Sequence, residues 1–379
     1  MNTLDAIRFI DDPTFQPKGK RVLVRVDFNV PLANGEVSND KRLRESLPTI
    51  NALRDAGARV ILVSHLGRPK GKVNPEYSLA PVAKALEVLL EAPVAFAADC
   101  IGAHATSAVQ ALQDGEVALL ENLRFHPEEE AGDEGFAKAL ADHAELFVSD
   151  AFGTCHRAHA SVSGVAKQLP AFGGLLIRKE VEAFGPLLSG AKAPYVAVLG
   201  GAKVSDKIQV IESLLQRVNT LLIGGGMAYT FLKAQGQEIG KSLLDSESLE
   251  FAKDMLSRAE ARGVQVLLPD DHIVADDIHG ANASEAREIP SDKAAFDIGP
   301  KSAQRFAEAI REARTVIFNG PMGVFEHNAF EHGTRAVLGG MRQAFTHGGL
   351  VVVGGGDSAA ATEALGFANS VTHISTGGG

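Results

Sequence analysis

Four arginines, Arg42, Arg68, Arg124 and Arg157, and two histidines, His65 and His156, fall near the ends of short apolar runs in the first half of a 379-residue chain. A guanidinium donates two parallel hydrogen bonds in one plane, which suits carboxylate and phosphate oxygens. Together they fit a small ligand with a phosphate at one end and a carboxylate or acyl phosphate at the other. The histidines add shorter-range donors, and Asp27 and Asn29 in VRVDFN can bind hydroxyls. The second half carries different chemistry. There the apolar runs end in glycines: VAVLGGAK, TLLIGGGM, TVIFNGPMG and LVVVGGGDS. Glycine after a strand lets the backbone turn tightly and brings N–H groups up to phosphate oxygens, often at a helix N-terminus. GGGDS is expected to open a helix, and Asp357 within it is a hard ligand suited to magnesium bridging to phosphates. Lys203 and Lys207 are four residues apart and share a face if a helix begins there. Two lysines, a carboxylate and glycine turns point to a nucleoside polyphosphate with its metal. None of these runs is the G-x-x-x-x-G-K-[ST] phosphate loop or a full dinucleotide fingerprint.

Two unlike sites need a scaffold that presents both. Ligands of open parallel sheets bind outside the carboxyl ends of the strands, which is where the polar clusters fall. Continuous Val/Ile/Leu runs predict strands at 20–26, 58–63, 117–120, 145–149, 195–199, 220–223, 264–268, 315–318, 350–353 and 371–374. Their lack of in/out alternation is expected of strands covered on both faces. Helices are predicted at 43–56, 79–91, 135–143, 206–217, 247–262, 301–313 and 358–365. The class is therefore α/β, with two doubly wound parallel-sheet domains. Helical periodicity over Leu175–Leu188, after Pro170, Gly173 and Gly174, predicts a joining helix. The expected division is 1–172 for the acid substrate, 173–190 as helix and hinge, and 191–379 for the nucleotide. Direct transfer across a cleft would require closure, with Gly173, Gly174 and Gly190 free to absorb dihedral change.

Composition narrows the function. Hydrophobic content of 45% and charged content of 22% are ordinary for a globular enzyme. A net charge of −10 argues against nucleic acid or an anionic membrane surface as partner. A local basic site on an acidic protein selects small anions. Two cysteines, Cys100 and Cys155, give no disulfide framework, and no run reaches membrane-spanning length. MNTLDAIRFIDD lacks the basic start and apolar stretch of a signal peptide, so the cytoplasm is the expected compartment. Cys155 lies beside His156 but has no third group to orient the pair, and it reads as a small residue in a polar loop. The HRAH run at 156–159 has no thiolate or carboxylate at metal spacing, and metal ligation is not expected there.

The ordered runs RVDFNVPL, SHLGRP, ENLRFHPEEE, DAFGTCHRAHAS, GGAKVSDKI, GGGMAYTFL, NGPMGVFE, GGGDS and STGGG resemble phosphoglycerate kinases, from about Val22 to Gly379. The resemblance implies a phosphotransferase with a carboxyl group as acceptor. Its reaction would be reversible transfer between 1,3-bisphosphoglycerate and MgADP, giving 3-phosphoglycerate and MgATP, in glycolysis and gluconeogenesis. It assigns the acid to Asp27, Asn29, Arg42, His65, Arg68, Arg124 and Arg157. It assigns the nucleotide to Lys203, Lys207, Gly225, Asn319, Pro321, Glu326, Gly355, Gly356, Asp357 and Ser358, with Asp357 on the metal and Glu326 on the ribose. Arg42 and Lys203 would hold the phosphoryl group in flight, and a monomer is implied. Ser149 stands where the family usually has asparagine, Ser358 where threonine is commoner, and Pro269-Asp270-Asp271 where P-V-D is usual. Family members continue past STGGG with a further segment. Another acyl-phosphate kinase, for acetate or carbamate, would explain the glycines, lysine and aspartate but not so large a basic cluster. A non-catalytic nucleotide-binding relative would be expected to lack Arg42, Lys203 or Asp357, and all three are present.

Overall fold

The structure is a computed structural model that describes residues 6–377; the first five residues and Gly378–Gly379 of the STGGG run lie outside the described residues. The chain divides into two compact units, Met1–Glu182 and Ala183–Gly379. The boundary falls inside one helix, Leu175–Ser189, whose range contains the predicted joining helix. Asp150 Oδ1 accepts the Leu176 and Ile177 N–H groups at the start of this helix, and Thr49 Oγ1 accepts that of Leu175. Burial raises the Asp150 carboxyl to about 6. Gly173 and Gly174 have a packing reason to be glycine. A Cβ on Gly173 would press on the Phe9 ring, and one on Gly174 would meet the Asp150 carboxyl.

The first unit contains strands β1 (Arg21–Arg25), β2 (Leu32–Ala33), β3 (Glu36–Val37), β4 (Arg59–Val63), β5 (Val94–Ala97), β6 (Val117–Leu120), β7 (Leu146–Ser149) and β8 (Ala171–Gly173). Six of them form a parallel sheet in the order β5-β6-β4-β1-β7-β8, and β2 and β3 form a small antiparallel pair. Register sets Arg25 level with Val63 and Ser149, so the polar segments that follow these strands emerge on one edge. The faces of the sheet are sealed by two apolar clusters. Val22, Val24, Val60 and Leu62 serve one, and Leu23, Ile61, Leu120 and Phe147 the other. Burying each such side chain contributes about 1.5–3 kcal/mol, so these strands have no register that would expose an alternate face cheaply.

The second unit adds β9 (Tyr195–Leu199), β10 (Thr220–Ile223), β11 (Gln265–Leu267), β12 (His272–Ala275), β13 (Ser284–Ala286), β14 (Ala294–Ile298), β15 (Thr315–Asn319), β16 (Leu350–Val353) and β17 (His373–Ile374). Its main sheet is parallel, in the order β11-β10-β9-β15-β16-β17. The chain winds outward from β9 to one edge, returns to β15, and winds to the other, so the switch point lies between β9 and β15. Beside this sheet, β12, β13 and β14 form an antiparallel sheet that the apolar-run reading did not anticipate.

Asp297 in β14 is fully buried. Its Oδ2 accepts the Gly333 N–H at 2.7 Å and its Oδ1 the Ile298 N–H at 2.9 Å. A Cβ on Gly323 or on Gly333 would strike this carboxyl, which wedges the turn after β15 against the helix His332–Thr346. Burial pushes the Asp297 carboxyl up to about 8. An unfolded aspartate titrates near 3.9, so from about pH 4 to 8 the folded state holds a proton that the unfolded state has lost. Its contribution to stability is complete below about pH 4 and disappears as pH rises through about 8. We predict that Asp297→Asn will show a smaller fall in melting temperature between pH 5 and pH 8 than the wild type. Equal falls would place the ionised form in the folded protein.

Candidate functional site

In the first unit the basic side chains converge on one histidine. His65 is 5% exposed, just beyond β4. Its Nδ1 lies 3.2 Å from Arg25 Nη2. Burial, and then the positive charges of Arg25, Arg124, Arg42 and Arg157, depress its pKa far below the ordinary histidine value. Because a guanidinium only donates, Nδ1 must be the acceptor, and the ring proton resides on Nε2. The site therefore offers a neutral N–H donor inside a set of cations. Arg42, in the first turn of the helix Lys41–Asp55, contacts Asp27 Oδ2 at 2.6 Å. Asn29 Oδ1 accepts the Gly67 N–H at 2.8 Å, and Arg124 Nη1 donates to the Gly67 carbonyl at 2.7 Å. These two bonds fix the turn that carries Arg68, which is exposed. Arg124 Nε lies 3.2 Å from Glu130 Oε1 but is not aligned to hydrogen-bond. Arg157 is half-buried and its Nε points to His156 Nε2 at 3.4 Å. Asn122 accepts from Leu66 N–H and Arg124 N–H and donates to the carbonyls of Leu66 and Tyr77, joining the loops after β4 and β6.

Arg25 was not singled out from the sequence because it sits inside an apolar run. It is 1% exposed; its Nε donates to Ser161 Oγ at 2.9 Å and its Nη1 to the Val26 carbonyl. Ser161 Oγ donates to Glu129 Oε1 at 2.6 Å, and Glu129 is itself fully buried. The clue in VLVRVD was an arginine where a strand core wants an aliphatic residue. The Cys155 thiol is pushed up by desolvation, which leaves it unactivated.

In the second unit the register sets Leu199, Ile223 and Asn319 side by side, so the runs beginning at Gly200, Gly224 and Gly320 emerge together. A Cβ on Gly200 would strike the Pro321 carbonyl, and one on Gly320 the Gly200 carbonyl. Gly201 N–H donates to Pro321 O at 3.1 Å and Gly225 N–H to Met322 O at 2.9 Å. Gly355, at φ +92°, precedes the helix Gly356–Ala364, whose first turn holds Asp357, exposed, and Ser358, buried. Ser358 Oγ accepts the Gly320 N–H at 2.6 Å, which ties this helix start to the turn after β15.

The two lysines do not share a helix face. A 3₁₀ turn, Ser205–Lys207, precedes the helix Ile208–Leu214, and Lys203 lies before both. Lys207 Nζ donates to Asn319 Oδ1; burial lowers its pKa, opposed by the attraction of Asp357 and Asp206. Lys203 is exposed, and its charge is felt at Asp245. Glu326 is exposed on the turn whose ends are joined by His327 N–H and Val324 O. The structure thus gathers Lys207, Asn319, Pro321, Gly225, Gly355, Gly356, Asp357 and Ser358 around the glycine turns. Lys203 and Glu326 are exposed.

The tautomer assignment yields a direct test. Nitrogen NMR of the His65 ring should report a neutral imidazole with the proton on Nε2 throughout pH 7.5 to 5.5. A titration midpoint near 6.5, the ordinary histidine value, would contradict it.

Known proteins resemble the chain over nearly its whole length. The family model described as phosphoglycerate kinase matches residues 10–379. The chain is 54% identical over 367 residues to the phosphoglycerate kinase of Pelotomaculum thermopropionicum, covering 96% of this chain and 92% of that one. It is likewise 54% identical over 365 residues to that of Moorella thermoacetica, covering 95% and 92%. Among solved structures, phosphoglycerate kinase from Coxiella burnetii superposes with a TM-score of 0.86 at 40% identity, over 97% of this chain and 93% of that chain. That from Pyrococcus horikoshii gives 0.80 at 32% identity, over 98% and 94%. With sequence and fold agreeing over nearly its whole length, the chain belongs to the phosphoglycerate kinase family.

Proposed function

We propose that the chain transfers a phosphoryl group reversibly between 1,3-bisphosphoglycerate and ADP, forming 3-phosphoglycerate and ATP. The observation that carries this reading is the set of guanidinium groups around neutral His65. An acid with a negative group at each end uses such a set, whereas acetate would engage one part of it. In this reading Arg42, Arg68, Arg124, Arg157 and His65 hold the acid's phosphate and carboxyl ends, and Asp27 and Asn29 take its hydroxyl. On the second unit, the helix start at Gly355, Gly356 and Asp357 offers backbone N–H groups to the nucleotide's phosphates, with Lys207 and Ser358 alongside. Glu326 meets the ribose, and Lys203 with Arg42 neutralises the group in flight. A loose phosphoryl transition state needs position and charge neutralisation more than a general base, which agrees with a histidine held neutral.

Asp357 fits a magnesium ion: an exposed, hard carboxylate follows a phosphate-binding type of turn and faces no dedicated cationic hydrogen bond among the described residues. Magnesium arriving with the nucleotide would supply neutralisation of phosphate charge there. Among the described residues, no helix is long and apolar enough to cross a membrane.

The reading is tested by a coupled assay with 3-phosphoglycerate and MgATP beside one with acetate; turnover of acetate alone would overturn it. Lys203→Ala should lower kcat by about 10² or more with a much smaller change in nucleotide affinity, because its contact is strongest in the transition state. A kcat within a few-fold of wild type would remove Lys203 from that role. Asp357→Asn should weaken binding of the magnesium–nucleotide complex in calorimetry while metal-free nucleotide binds as before. Equal losses for both would make Asp357 a residue of the helix start only.

A further inference from the structure

Away from the arginine set, three ligand types meet at the ends of two neighbouring strands of the first unit. Asp99 and Cys100 follow β5, and His126 closes the turn after β6. His126 Nε2 lies 2.7 Å from Asp99 Oδ1. The Cys100 Sγ completes a group whose ligand atoms all fall within 4.8 Å of one another, the one such trio among the described residues. Asp99 and His126 are partly exposed, giving the trio access to solvent, whereas Cys100 is fully buried. Among the described residues the thiol has no hydrogen-bond partner. The backbone around it is firmly placed: Cys100 N–H donates to Asp99 Oδ1 at 2.7 Å, and His143 Nε2 meets the Cys100 carbonyl at 3.2 Å.

We propose that Asp99, Cys100 and His126 form a binding site for a borderline divalent cation, best matched by zinc. One imidazole nitrogen, one carboxylate oxygen and one thiolate sulfur are the donor set that zinc accepts, and three protein ligands leave one position for water. With bonds of about 2.0–2.3 Å, tetrahedral ligands stand roughly 3.3–3.7 Å apart. The Asp99–His126 pair therefore opens slightly and the sulfur closes in, a change within reach of side-chain rotation. Binding replaces the thiol proton: Zn²⁺ and the Cys100 S–H give the zinc thiolate, and the proton leaves to solvent. The competing view is a plain Asp–His contact beside a cysteine that only fills space. That view leaves the closeness of a buried thiol to two good ligands without a function.

Cobalt(II) is the probe, added to the full-length protein after dialysis against chelator. The proposal expects one equivalent to bind with a near-ultraviolet thiolate-to-cobalt band and the intense visible absorption of tetrahedral cobalt, both displaced by zinc. Cys155→Ser should keep the band and Cys100→Ser should lose it. His126→Gln and Asp99→Asn, at partly exposed positions that should not disturb folding, should each weaken binding by about tenfold or more. No saturable thiolate band, a band that survives Cys100→Ser, or one that vanishes in Cys155→Ser would overturn the assignment. So would undiminished affinity in both His126→Gln and Asp99→Asn.

Discussion

A guanidinium placed inside a sheet domain dictates much of what surrounds it. Arg25 cannot shed its charge, and an unpaired ion in an apolar interior costs several kcal/mol. Each of its hydrogen bonds therefore recruits a neighbour. Nε takes the Ser161 hydroxyl, which in turn is held by the buried carboxylate of Glu129. Nη2 takes His65 Nδ1, and this choice turns the opposite ring nitrogen into a donor. Glu129 comes from the short helix Pro127–Ala131 that follows Arg124, so the same charge also constrains that loop. Burial that opposes the arginine's own protonated form is offset mainly by Glu129 and Asp27. The basic cluster is thus anchored from below by a cation that takes no part in its outer surface.

The second unit solves its positioning problem largely with backbone. Gly200, Gly225 and Gly320 stand where three strand ends crowd one another, and main-chain atoms occupy the volume that a side chain would need. Hydrogen bonds from Gly201 and Gly225 to the carbonyls of Pro321 and Met322 knit the turns into one surface. Where the first unit converges long, charged side chains, the second packs strand-end turns whose peptide groups cannot swing away. Such a surface needs little further ordering, since peptide groups in a closed network have few alternatives.

Much of this was legible in residue order. The aliphatic runs of β1, β4, β9, β15 and β16 are unmistakable, and polar or glycine-rich segments follow them. The runs that escaped notice share a physical cause. VAFA in β5 is short and alanine-rich, and β12 to β14 carry polar residues in an antiparallel sheet, where burial is partial. The helix His332–Thr346 was hidden by Gly339 and Gly340, which look like a break. In the structure Gly340 lies against the backbone of Ala307, and its missing side chain lets two helices approach closely. Met227–Ala234 is only eight residues long and directly follows a glycine run, so little sequence marks it as a helix. Local sequence also could not reveal that Lys207 folds inward while Lys203 remains outside, because the difference is made by Asn319, more than a hundred residues away.

Lys207 illustrates a wider consequence of its inward placement. An ammonium in free solution is wrapped in water dipoles that must reorient whenever a new negative charge approaches. The folding of the second unit has already stripped part of that shell from Lys207 and put a single amide oxygen of Asn319 in its stead. An anion arriving at this ammonium has one fixed dipole to displace instead of a fluctuating crowd. The reorganisation that would otherwise accompany each encounter has been completed during folding, and the residual attraction is correspondingly sharper.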